Sequence, residues 1–83
     1  MATRGGKSPV IPRWSFGDRL RKARMHADLQ QEHIAVEFGV SKVAVSNWEL
    51  GKSQPRDVFE TAERYENITG VSAAWLLTSD GSA

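Results

Sequence analysis

Apolar positions recur at helical spacing along most of the 83-residue chain, and no stretch alternates as a half-buried strand would. Phe16, Leu20, Ala23 and Ala27 stand at i, i+4, i+7 and i+11, which predicts a first helix of about twelve residues. Ser15 offers its N-cap oxygen, and Asp18 three residues later resembles the second half of a capping box. A second helix is predicted over about 30–38, with Ile34, Ala35 and Phe38 on one face and Gly39 as its left-handed stop. Ser41 then caps a third helix running to about Leu50, with Val45 and Trp48 three apart and Val40 expected to pack beneath its start. Gly51 ends it, and a loop follows to Pro55. A fourth helix is predicted over about 56–67, with Val58, Phe59, Ala62 and Tyr65 on one stripe and Asp57, Glu60, Glu63 and Glu66 outside. Asp57 and Glu60 also suit its positive N-terminal end. After Gly70, Val71–Thr78 reads as a short apolar helix containing Ala74, Trp75 and Leu76. The expected fold class is all-α: five helices joined by short loops.

Composition narrows the class of protein. With 40% hydrophobic and 25% charged residues the chain is an ordinary globular one, large enough for a single core. It holds no cysteine, hence no disulfide framework and no thiolate metal site. No apolar run reaches the ~20 residues of a membrane span, and the N-terminal segment lacks the apolar stretch of a signal peptide. So short a chain can hardly wall a deep pocket, which argues against an enzyme and against a small-molecule substrate. Residues 1–13 hold two glycines, two prolines and no amphipathic period; they read as a flexible basic arm, ahead of a domain over 14–80 and a disordered tail over 81–83. The formal net charge of +1 hides an asymmetry. Residues 1–28 carry seven Lys/Arg against two acids, a net +5, and residues 29–83 carry four against eight, a net −4. One part of the molecule can therefore face a polyanion while the rest avoids it.

The informative stretch runs from Gln31 to Trp48: two short helices joined by a tight turn at one glycine. Gly39 supplies the positive-φ residue of the turn, Ala35 is small where the second helix crosses the first, and Val40, Val45 and Trp48 pin that second helix to the core. Ser41, Lys42, Val43, Ser46 and Asn47 stay on its outer face. That arrangement is a helix-turn-helix, the motif whose second helix enters the major groove of DNA.

Residues from about Trp14 to Asp80 resemble the Cro/repressor type of helix-turn-helix domain, the lambda-repressor-like or XRE-like family. The matching positions are Arg19–Arg24, Gln31, Ile34 and Ala35, Phe38–Ser41, Val45–Glu49, Gly51 and Lys52, Pro55 and Val71–Thr78, in the family's order and spacing. Two departures stand out. Gln30 replaces the usual Ser or Thr before the second helix, so that either Asp28 caps it or its start is weaker by about 0.5–1 kcal/mol. Ala27 and Asp28 stand where the family usually has a glycine. Larger family members carry a second domain, which makes a chain ending at Ala83 a stand-alone small regulator or a fragment of one.

The resemblance implies sequence-specific recognition of double-stranded DNA with no cofactor, by a homodimer on a palindromic operator, in the cytoplasm of a bacterium or phage-infected host. Lysine can donate to guanine, asparagine can bond adenine bidentately and valine can meet a thymine methyl, so Lys42, Val43 and Asn47 are the candidate base readers. Ser41 and Ser46 serve equally well as base or phosphate ligands and as a cap and a solvated position. Gln31 and Gln30, at the N-terminus of the second helix, are candidates for phosphate, as are Lys52 and Arg56 around the following loop, where plain solubility is the alternative. Arg4, Lys7 and Arg13 of the arm are candidates to lie along the backbone. The family implies that Arg24 and Glu49 pair structurally. His26 and His33, seven apart with no cysteine nearby, do not make a metal site, and the sequon at Asn67 is expected to be idle. Trp75 and Leu76 read as core and Leu77 as a dimer-seam candidate. The alternative function is a protein-binding module on the same fold, as in an antitoxin.

Overall fold

The computed structural model describes residues 13–78, all helix and short loops, with no strand among them. The order is α1 (Phe16–His26), α2 (Gln31–Phe38), α3 (Lys42–Leu50), α4 (Val58–Thr69) and α5 (Ala73–Leu76). Arg4, Lys7 and the predicted 81–83 tail lie outside the described residues.

Local chemistry sets the boundaries. Ser15 Oγ accepts from the Asp18 N–H at 3.0 Å while the Ser15 N–H donates to the Asp18 carboxylate at 2.9 Å, a complete capping box at the head of α1. Gly39 stops α2 at φ +68°, a conformation open to glycine without steric cost. Ser41 Oγ accepts from the Ala44 N–H at 3.1 Å and starts α3.

α4 begins two residues later than the periodicity suggested. Asp57 is its N-cap, accepting from the Glu60 N–H at 3.0 Å, so Arg56 belongs to the loop. Phe59 departs from the predicted stripe for a different reason: at about 100° per residue it stands roughly 120° round the helix from Tyr65. The buried stripe of α4 is Thr61, Ala62 and Tyr65, and Phe59 lies off it, 70% exposed. α5 is shorter than expected because Val71 donates to Thr69 Oγ1 at 3.1 Å and Ser72 provides the cap, leaving one helical turn.

At the start of α2 Asp28 does not provide the cap. Asp28 adopts a left-handed backbone (φ +60°) at the position where the family's glycine is missing, and the N-cap is Gln30. His33 Nδ1 accepts from the Gln30 N–H at 2.9 Å, so a histidine takes the role that an acid plays in the usual box.

The core is one cluster drawn from all five helices: Leu20, Ala23, Ile34, Ala35, Val45, Ala62, Tyr65 and Leu76. Phe38 bridges Trp48 and Tyr65, with ring centroids at 5.4 and 5.6 Å. Val40 sits at the rim, 37% exposed, rather than beneath α3. Trp75 and Leu77 are half-buried against the cluster. The buried Arg19 guanidinium lies over the Trp75 ring at 4.7 Å and donates to the Trp75 carbonyl at 3.4 Å, holding α5 to α1. At Gly17 α1 approaches α3 closely: a Cβ there would overlap the carbonyl oxygens of Trp48 and Glu49.

Candidate nucleic-acid interface

A polar network fixes how α3 stands against the two preceding helices. Arg24 Nε donates to Glu49 Oε2 at 2.7 Å and Arg24 Nη2 to Glu49 Oε1 at 3.0 Å, a bidentate pair with both side chains largely withdrawn from solvent. Arg24 Nη1 donates to the Leu29 carbonyl at 3.0 Å, and Gln31 Nε2 to Glu49 Oε1 at 3.0 Å. The hydrogen bond to Glu49 holds the Arg24 guanidinium still more firmly protonated than usual. α1 and α2 thus meet on one buried carboxylate of α3, and the α1–α2 loop is tied in through Arg24. Removing one partner of such a pair leaves an uncompensated charge, at a cost of about 3–5 kcal/mol.

With Val45 and Glu49 drawn inward, the opposite side of α3 faces out. Val43 is 66% exposed, and Ser46 and Asn47 are half-buried beside it. Lys42 stands to one side, its Nζ 3.6 Å from Glu32 on α2, with both side chains in solvent. Glu32 is held below the usual carboxylate range by a backbone hydrogen bond at the α2 N-terminus and by the charge of Lys42. Ser41 is exposed, and its oxygen is engaged as the α3 cap.

The N-terminus of α2 lies beside α3. Gln30 is exposed there and Gln31 half-buried, its amide turned to Glu49. The first-turn N–H groups of a helix lack intrahelical partners and favour anions. Lys52 and Arg56 are exposed in the loop after α3. Arg13 is exposed too, but it lines a shallow depression with Trp14, Asp18, Arg21, Lys22 and Met25 on the outer side of α1, apart from the α3 face. The structure therefore brings Lys42, Val43, Ser46, Asn47 and the head of α2 together and sets Arg13 aside. Leu50, unassigned in the sequence, also belongs to the outward side of α3, 65% exposed. Its signal was available: it stands seven residues after Val43, two helical turns on.

Among the described residues no three potential ligands gather as a metal site, and no helix is long and apolar enough to cross a membrane.

Comparison with known proteins adds an independent line. A family model described as helix-turn-helix matches residues 20–76. The chain is 34% identical over 62 residues to the SPbeta prophage-derived uncharacterized HTH-type transcriptional regulator YonR of Bacillus subtilis, covering 75% of this chain and 56% of that protein. It is 38% identical over 77 residues to the HTH-type transcriptional regulator PrtR of Pseudomonas aeruginosa, covering 92% and 28% respectively. It is 33% identical over 63 residues to the cryptic phage CTXphi transcriptional repressor RstR of Vibrio cholerae, covering 76% and 55%. The chain thus spans about half the length of two of these relatives and 28% of PrtR. No solved structure matches significantly.

Proposed function

The chain belongs to the helix-turn-helix family, of the Cro/repressor type, and from that premise we propose that it is a sequence-specific, double-stranded-DNA-binding transcriptional regulator. α3 enters the major groove of an operator with two-fold symmetry, and two copies of the chain occupy the two half-sites. The observation that carries this reading is the outward face of α3: Val43 is exposed on it, with half-buried Asn47 one turn on, while Val45 and the Arg24–Glu49 network hold the other side. A helix pinned so firmly on its inner side presents its outer side chains in a fixed register, which reading base edges requires.

In this reading Lys42, Val43 and Asn47 meet base edges, and Ser46 and the hydroxyl hydrogen of Ser41 donate to a base or phosphate. Gln30, the second Gln31 amide hydrogen, Lys52 and Arg56 meet phosphates and set the register. The arm cations Arg4, Lys7 and Arg13 add charge that favours any duplex. Repression by occupancy is the simplest outcome, since two of the relatives are named as regulators and one as a repressor. The test is selection of bound sequences from random duplex DNA. The expected result is a palindromic consensus with half-sites about one helical turn, ~34 Å, apart. A pool that stays random after successive rounds would refute it.

A further inference from the structure

Resting on the DNA-binding reading above, we infer that Leu50 is a specificity-determining residue, and that with Val43 it makes the preferred half-site one that displays two thymine methyl groups. The geometry of α3 carries this. Val45 and Glu49 are its buried positions and Trp48 is half-buried. At about 100° per residue, Val43, Asn47 and Leu50 fall within roughly 40° of a single line on the opposite side, the middle of the outward face. Lys42 lies off this line, toward Glu32.

The middle of that face is apolar at both ends. Val43 is 66% and Leu50 65% exposed, and neither belongs to the core cluster. A merely solvated face gains nothing from two branched aliphatic side chains in line two turns apart. The one apolar feature on the floor of the major groove is the thymine C5-methyl, which cytosine lacks. Asn47, between them, has the geometry to bond adenine N6 and N7, and so points to the same A·T pairs. Val43 and Leu50 are about 10.5 Å apart along the helix axis, which spans up to about three base-pair steps. The exposed Met25, Val36 and Phe59 are on other helices, outside this line.

The experiment starts from the consensus recovered by selection and replaces its thymines one at a time with deoxyuridine, which removes only the methyl. The protein is unchanged in this arm. The wild-type chain is expected to bind roughly threefold to fivefold more weakly at two such positions in each half-site, and at no others. Leu50→Ala should abolish the effect at one of them and Val43→Ala at the other, each leaving the thermal unfolding midpoint unchanged because both side chains are exposed. Deoxyuridine without effect overturns the inference, and so does a Leu50→Ala loss that is equal on thymine and deoxyuridine operators. A palindromic consensus indifferent to its methyls leaves the proposed function standing and removes this inference alone. Failure to select any sequence removes both.

Discussion

Tyr65 is the largest fully buried side chain of the domain, and its hydroxyl has no hydrogen-bond partner among the described residues. Burial, reinforced by the nearby Glu49 carboxylate, pushes its ionisation well above the usual tyrosine value of about 10. The folded state therefore favours the neutral phenol. The stability this gives is fully present below the unfolded value and is lost as pH rises beyond it. Tyr65→Phe removes both the ionisation and an unsatisfied polar atom while keeping the ring against Phe38. The variant should be at least as stable as wild type at pH 7 and lose less stability between pH about 9 and 11. Denaturant melts of both proteins across that range check it, and parallel curves would show that the phenol stays neutral in neither state.

At the scale of elements, helix starts and stops were the legible part. Ser15 with Asp18, Ser41 and Gly39 act within three or four residues of chain, so their chemistry can be read without knowing the fold. Asp57 shows where that fails: a residue suited to helix electrostatics is also a capping residue, and its side-chain bond to Glu60 decided where α4 begins. Contacts that depend on how helices cross were not legible. Nothing in the apolar spacing places Glu32 against Lys42 or Gln31 against Glu49, whereas the outward place of Leu50, two turns after Val43, was open to sequence reading. Gly17 is the sharpest case. In sequence it is a weak helix former inside a capped helix; in the fold it lets α1 touch the last turn of α3. The obstructing atoms are backbone carbonyls, which cannot rotate away. Gly17→Ala, stabilising on an isolated helix by about 1 kcal/mol, should here destabilise by about 1–3 kcal/mol. It should also weaken DNA binding at temperatures where the variant is still folded, since α3 must shift. A thermal midpoint at or above wild type would mean that the two helices do not meet this closely.

For the whole molecule the question is how charge divides between affinity and selectivity. Arg13, just before α1, and Arg21 and Lys22 on it surround one depression, whereas α4 exposes Glu60, Glu63 and Glu66. The sides of the molecule thus differ in sign, and since the basic depression lies apart from the α3 face, steering of a duplex onto α3 falls to the cations beside that helix. Within the proposed interface Lys42 and Arg56 contribute differently. Lys42 shares its charge with Glu32 3.6 Å away, so its attraction for phosphate is already partly offset and its value lies in donating to a base edge. Arg56, exposed in the loop before α4, acts on the backbone. Arg56→Gln should therefore weaken binding to operator and scrambled duplex alike and flatten the slope of log K against log salt by about 0.9. Lys42→Ala should barely move that slope, yet cost about 1–3 kcal/mol of discrimination at one operator position. Titrations of both variants on both duplexes at several salt concentrations separate the two effects. If Lys42→Ala flattened the slope as much as Arg56→Gln and left the operator-to-scrambled ratio intact, Lys42 would be a phosphate ligand and base reading would rest on Val43, Asn47 and Leu50.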